Sequence, residues 1–379
     1  MRRFSNKRRM NLTLSVTIVL LVCASALPVQ TAVAQSTSGQ LEFDAPSGLV
    51  FGGGHLWVTN EAGNSVSEIN PSNGAWLATF SAKRYGFDQP TAISADGADL
   101  FVANGAGSVT ELRASTGTFV RTMSAPHFHL VNPVAIASDG PLILVLNAGK
   151  SNGVGWITEI RASTGRAIRT ISGSTFAFEY PAAFTVSGPD VFVADKGDNS
   201  VTEASIANGR LIRVVAQQGL NLPDGIAVVD GNAWVADSGS NAATEIDAAT
   251  GAVIGTETDS DGSYGFGSPL MVIGSGGNVF VASPFGASPM VTKLSATTGV
   301  PSWFMCNTNG PYYFSLLSAF AISGTDLWVA SRSGANSLTP GAQTGSLTEL
   351  STGDGSLIAT YPQPTSTPTT TTPTTTTLS

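Results

Sequence analysis

Histidine appears three times in 379 residues, cysteine twice, and lysine and arginine together 18 times against 26 acids. Each scarcity closes a route. A nucleic-acid or anionic-membrane partner needs a basic patch to meet its phosphates, and a chain with formal net charge −8 and so few cations offers none. The longest apolar run, Leu12 to Val22, is shorter than the roughly 20 residues a membrane helix requires. What remains is 42% hydrophobic and only 12% charged, enough to bury a large core, and its 42 glycines divide that core by many turns instead of long helices. The composition is that of an all-β protein.

The two ends differ from the middle. Arg2, Arg3, Lys7, Arg8 and Arg9 precede the apolar run, and Ala32-Val33-Ala34 follows it, the pattern of a signal peptide (residues 1–34) cut after Ala34. Export by the general secretory route is the expectation, giving a secreted or cell-envelope protein with no membrane insertion of the mature chain. Cleavage removes five cations and no acids, taking the formal charge from −8 to −13. It also leaves Cys306 as the one thiol, so the mature domain relies on its core and not on an internal disulfide. Residues 362–379, a Thr/Pro tract, have nothing to bury and are expected to form an extended solvated tail.

Between a short lead-in (35–45) and that tail, 46–361 is one unit repeated seven times. Pro46, Pro90, Pro133, Pro181, Pro223 and Pro269 open six copies, and Leu317 takes the place in the seventh, at a spacing of roughly 45 residues. A second strand recurs as LWVTN (Leu56 to Asn60), LFVAN, ILVLN, VFVAD, AWVAD, VFVAS and LWVAS (Leu327 to Ser331), apolar on both faces as in a strand sandwiched between neighbours. A third recurs as VSEI, VTEL, ITEI, VTEA, ATEI, VTKL and LTEL, each followed by a glycine turn, Gly74 in the first copy and Gly355 in the last. Repeats of this length and make-up predict a seven-bladed β-propeller of four-stranded antiparallel blades. The last copy supplies its own fourth strand, 356–361, so the ring can close without borrowing one, with Leu41 to Phe43 free to add at an edge.

The pattern PxGIAV…G…WVAD…N, clearest at Pro223 to Asn241, resembles the NHL-repeat and YVTN-type bacterial propellers, and the glycine-rich copies are similar to the virginiamycin B lyase family. The resemblance covers about 46–361 and is one of fold. In the lyase it implies a histidine base with Mg²⁺ near the channel mouth in the later blades. This chain has no histidine after His129, so no catalytic residue is carried over, and none is assigned.

A residue type present in every blade serves the blade, whereas a site on a ring must break the symmetry. Glu68, Glu111, Glu159, Glu203, Glu245 and Glu349 share one position, with Lys293 in the remaining copy. Arg121, Arg169 and Arg213 follow three of them by ten residues, where a hairpin places a cross-strand partner, so these predict structural salt bridges. Asn60, Asn104, Asn147, Asp195, Asp237, Ser283 and Ser331 end the second strand, where short polar side chains cap the following loop. Their alternative role is binding, with Asp195 and Asp237 as oxygen ligands for Ca²⁺ or Mg²⁺; no other cofactor is implied. An aromatic pair precedes most blades, among them Tyr85-x-Phe87, Phe176-x-Phe178, Tyr264-x-Phe266 and Tyr313-Phe314, for inter-blade packing or for stacking on a ligand.

Four features depart from the consensus: His127 and His129 in the connection after blade two, a longer loop after Asn147 with Trp156, Phe285 between two prolines in blade six, and the long loop beginning at Arg332 in blade seven. All belong to loops that leave one end of a propeller. The expectation is a monomeric, exported binding protein that recognises an extracellular glycan, peptide or protein at this face. The alternative is a metal-assisted lyase or lactone hydrolase built on the same face.

Overall fold

The computed structural model describes residues 43–361 except 82, 125–127, 151–152, 174, 177, 217–218, 260–261, 263, 286–288, 307–311, 313 and 333–344. Seven four-stranded sheets follow one another, each with its strands in sequence order and antiparallel. The blades span 46–80, 90–124, 133–171, 181–215, 223–258, 271–306 and 317–361. First strands pack against first strands of adjacent blades, and the first strand of blade one (Pro46–Gly52) lies against that of blade seven (Leu317–Ser323), which closes a seven-bladed propeller. Among the described residues the only helical segment is the single 3₁₀ turn Lys83–Tyr85.

Position within the blade decides burial. The five residues that end each second strand are buried in all seven copies, whereas the fourth strand of blade one (Trp76–Phe80) alternates between half-buried and exposed. The apolar side chains form seven cores, each between two blades. One unites Trp57, Tyr85, Leu100 and Leu112 across blades one and two. Another unites Phe43, Leu56, Trp328 and Tyr361 across the seam of blades seven and one. No blade could bury this surface alone, so the ring is the cooperative unit. Closure needs no strand exchange: Phe43 forms a single bridge with Gly345, and Ser318 Oγ donates to the Pro46 carbonyl at 2.6 Å.

The glycine after the third strand has two reasons to be there. Gly74 has φ 64°, and a methyl group on it would run into the Tyr361 ring of the preceding blade. Gly117 has φ 63° and sits under Phe80 in the same way. Each turn is thus a seat for the outer strand of its neighbour, as well as a left-handed corner.

The expected salt bridges form. Arg121, Arg169 and Arg213 stand opposite Glu111, Glu159 and Glu203 in register, at 2.5, 2.7 and 2.7 Å. Arg121 and Arg213 also donate to the Ala162 and Ala249 carbonyls of the following blade, as Arg169 does to Ile206. Where arginine is missing, other partners serve: His55 Nδ1 lies 2.5 Å from Glu68, Asn232 donates to Glu245 at 2.6 Å, and Lys293 reaches the Thr352 carbonyl at 2.8 Å. The aromatic pairs before the blades are interior. Tyr85 stacks on Phe87, Tyr264 on Phe266, and Tyr312 on Phe314; Tyr313 lies outside the described residues.

Candidate functional site

The register sets which loops share a face. Pro46 pairs with Asn60, Pro90 with Asn104 and Pro223 with Asp237, so the start of each first strand and the end of each second strand meet at one end of the ring. A bulge between Pro46 and Gly48, repeated after Pro90, Pro181, Pro223 and Leu317, leaves the residue after each of these unpaired at the rim of the channel. The residue before each blade is left-handed: Ala45, Gln89, Asn132, Tyr180, Leu222, Ser268 and Leu316 all have φ of 49–54°. Such a backbone is costly for a bulky residue, and neighbouring loops hold it. Asn64, Asn199 and Asn241 accept from the amides of Gln89, Leu222 and Ser268 at 2.7–2.8 Å.

The polar residues that end the second strands lie beneath this rim. Asn60, Asn104, Asn147, Asp195 and Asp237 are at most 1% exposed. Asn147 Oδ1 accepts the Val131 amide at 3.0 Å, and its Nδ2 donates to Thr158 Oγ1 at 3.2 Å; Asn104 does the same with Asp88 and Thr110. Asn60 donates to Ser65 and Ser67. Asp195 meets Thr202 at 2.6 Å, and Asp237 accepts the Asn221 amide at 3.2 Å. Burial drives the Asp195 carboxyl well above the usual carboxylate range and that of Asp237 up to about 7. Asn104, Asn147 and Asp237 tie their blades to the connections that enter them, and none of these five side chains is among the residues lining the two cavities at the ring seam. Among the described residues, no three His, Cys, Asp or Glu converge on a point that could hold a metal ion.

Two of the symmetry-breaking residues do come together. Phe285 and Arg332 line a cavity of about 450 Å³ at the mouth of the channel, between blades six, seven, one and two. Its lining mixes apolar residues, Leu270, Met271, Pro284, Phe285, Leu316 and Leu317, with polar ones, Ser47, Thr91, Ser318, Glu61 and Arg332, whose backbone N–H donates to the Leu316 carbonyl at 3.1 Å. The hydroxyls of Ser47, Thr91 and Ser318 are spent on the first-strand carbonyls of Pro90, Pro133 and Pro46, at 2.6–2.8 Å. The charges are therefore the specific groups. Arg332 donates to Glu61 across the ring seam, and the pair also borders a second hollow of about 300 Å³ with Ala45, Ala62, Asn64 and Gln89. Phe285 and Leu316 leave 48% and 43% of their surface exposed beside it.

A second ion pair joins blades four and five at the same face. Lys196 Nζ lies 2.7 and 2.9 Å from the two oxygens of Asp224, which also accepts from Ser238. Trp156 and His129 meet elsewhere: the indole N–H donates to the His129 carbonyl at 2.7 Å, fixing the ring over the connection into blade three, with His129 exposed. His127 lies outside the described residues. The sequence reading passed over Glu61, Lys196 and Asp224. The symmetry rule points to them: the column after the second strand reads Glu61, Gly105, Ala148, Lys196, Ser238, Pro284 and Arg332, with only three charges in seven, and the column after the blade-opening residue reads Ser47, Thr91, Val134, Ala182, Asp224, Leu270 and Ser318, with one.

No family model matches the chain, and no curated protein matches it in sequence. Solved structures do. Hydrazine synthase from Kuenenia stuttgartiensis aligns with a TM-score of 0.63 at 16% identity, over 85% of this chain and 100% of that one. Virginiamycin B lyase from Staphylococcus aureus aligns at 0.60 and 15% identity, over 76% and 92%. BamB from Moraxella catarrhalis aligns at 0.51 and 14% identity, over 76% and 83%. At these identities the likeness is one of fold, and it bears out the fold-level resemblance to bacterial propellers of the virginiamycin B lyase type.

Proposed function

We propose that the protein is an exported binding module that takes a peptide segment of an extracellular partner into the channel mouth between blades six, seven, one and two. The observation that carries this reading is the mixed lining of the cavity, which sets Phe285 and aliphatic side chains beside the Arg332–Glu61 pair. A sugar prefers flat rings to stack on, and this lining offers one ring among leucines, a methionine and a proline. A peptide offers what the walls lack: an apolar side chain for Phe285 and Leu316, and a charged or amide group to compete for Arg332 or Glu61. The basic and apolar leader with its Ala32-Val33-Ala34 site supports export.

The test is a thermal-shift screen of residues 35–379 against random peptide pools, soluble wall polysaccharides, Mg²⁺ and Ca²⁺, since a ligand of the folded state raises its midpoint. A peptide-dependent shift lost in Phe285→Ala and Arg332→Ala, with their own midpoints near the parent's, is the expected result. A shift by polysaccharide alone would move the reading to a glycan. A divalent-cation shift lost in Asp195→Ala and Asp237→Ala would favour a metal-assisted lyase or hydrolase and overturn it.

A further inference from the structure

In blades two and three the residue that ends the second strand belongs to a hydrogen-bond relay. In blade two, Asn104 Nδ2 donates to Thr110 Oγ1 at 3.2 Å, and that hydroxyl donates onward to the Tyr85 carbonyl at 2.9 Å. In blade three, Asn147 donates to Thr158 at 3.2 Å, and Thr158 to the Phe128 carbonyl at 3.1 Å. Each hydroxyl receives one proton and gives one, so the relay is complete and couples the blade to its incoming connection.

Blade four keeps the threonine and the carbonyl but has Asp195 in place of asparagine. Thr202 Oγ1 lies 2.6 Å from Asp195 Oδ2 and 2.7 Å from the Phe176 carbonyl. A hydroxyl has one proton, whereas an ionised carboxylate and a carbonyl are both acceptors. The two short contacts coexist only if the carboxyl brings a proton of its own and donates it to Thr202. Blade five has Asp237 at the same position. Its Oδ1 accepts the Asn221 amide, as Asn147 Oδ1 accepts that of Val131, and its Oδ2 takes the place of the amide nitrogen, buried beside the Thr244 hydroxyl.

We propose that Asp195 and Asp237 are proton-binding sites that keep their protons in the folded protein to far higher pH than an ordinary aspartate, and that their ionisation loosens the blade four and five sector of the binding face. The charged groups facing them point the same way. Asp198 faces Asp195, and Asp224 faces Asp237. Lys196, next to Asp195 in the chain, is held by Asp224, and among the described residues no ion pair includes either buried acid. The loops that follow, 196–199 and 238–241, carry Lys196 and Ser238, which grip Asp224, and Asn199 and Asn241, which hold the entries of blades five and six. A negative charge beneath those loops would either face the lone pairs of the Thr202 oxygen or draw its proton away from the Phe176 carbonyl, and one of the two contacts is lost either way.

The sign follows from linkage. Below about pH 4 both folded and unfolded chains keep these protons; as pH rises the unfolded chain releases them first, so stability falls until the folded groups ionise in turn. At about pH 7 an ordinary aspartate is ionised roughly a thousandfold over its acid form, whereas Asp237, pushed up to about 7, is about half protonated.

Two measurements test this on the mature chain. First, Asp195→Asn, Asp237→Asn and the double variant are melted across about pH 4.5 to about pH 9. The parent midpoint should fall through neutrality, and the double variant should lack much of that fall and melt above the parent at about pH 8. Second, side-chain carboxyl carbons of the parent are titrated by NMR, which needs no variant to fold. Two aspartates should titrate far above the ordinary range. Ordinary values for both, or melting profiles that run parallel in parent and double variant, would overturn the proposal.

Discussion

Replacing Arg169 with alanine isolates what the repeated glutamates do. Glu159 has no solvent exposure, stands opposite Arg169 in register, and has that guanidinium as its ion-pair partner. Burial raises its carboxyl pKa and Arg169 pulls it back. Without the arginine, the folded state must either bury a lone carboxylate or take up a proton. Proton uptake sets the ceiling: neutralising an ordinary glutamate at pH 7 costs about 4 kcal/mol, and at pH 4.5 under about 1 kcal/mol. Arg169 is a third exposed, so part of its attraction is already screened, and we expect a loss of about 3 kcal/mol at neutral pH. In a domain of this size that is a drop of roughly 4–5 °C in midpoint. The assay is differential scanning calorimetry of parent and Arg169→Ala at both pH values. The destabilised group has a raised folded pKa, so its penalty is absent at low pH and grows as pH rises through the unfolded value. A drop of equal size at both pH values would refute this reasoning and assign the loss to the arginine's contacts with the next blade. Glu159→Gln with Arg169→Met should recover most of the loss at neutral pH.

Other consequences are separable. Glu349 is buried without a cation, and burial lifts its carboxyl to about 7; Glu349→Gln should melt above the parent at about pH 8 and show no gain at about pH 4, read from the same pH series. Gly74→Ala should cost several kcal/mol by urea titration, because it needs a left-handed backbone and displaces the Tyr361 ring, whereas Gly97→Ala, left-handed but facing open space, should cost only about 1 kcal/mol. Equal losses would show that the ring contact is unimportant.

Much of the scaffold was legible because a repeat makes its own alignment. The prolines marked where six blades begin, although the first strand of blade six starts at Met271, two residues after Pro269. The ten-residue step from Glu111 to Arg121 gave a true cross-strand pair, since one hairpin fixes that register. Contacts between blades were not legible. Nothing local tells that Gly74 lies under Tyr361, or that Glu61 meets Arg332, because ring closure alone brings together residues so far apart in the chain. The candidate site divided accordingly: Phe285 and Arg332, conspicuous as departures, share the cavity, whereas Asn60, Asn104 and Asn147, conspicuous as polar, are inside the blades. Asp195 and Asp237 stood out as acids, but what distinguishes them is that they occupy a slot built for an amide.

The central claim is that the scaffold is shared by all seven blades and recognition belongs to the channel mouth at the seam. It is tested most directly by selecting a displayed random-peptide library on immobilised residues 35–379, then measuring the selected peptides by fluorescence anisotropy against parent, Phe285→Ala with Arg332→Ala, and Arg169→Ala. The account predicts that the mouth variant loses at least tenfold in affinity with its fold intact, while the scaffold variant melts earlier but binds as the parent does. Equal binding by the mouth variant, or a library that yields no binder at all, would contradict it.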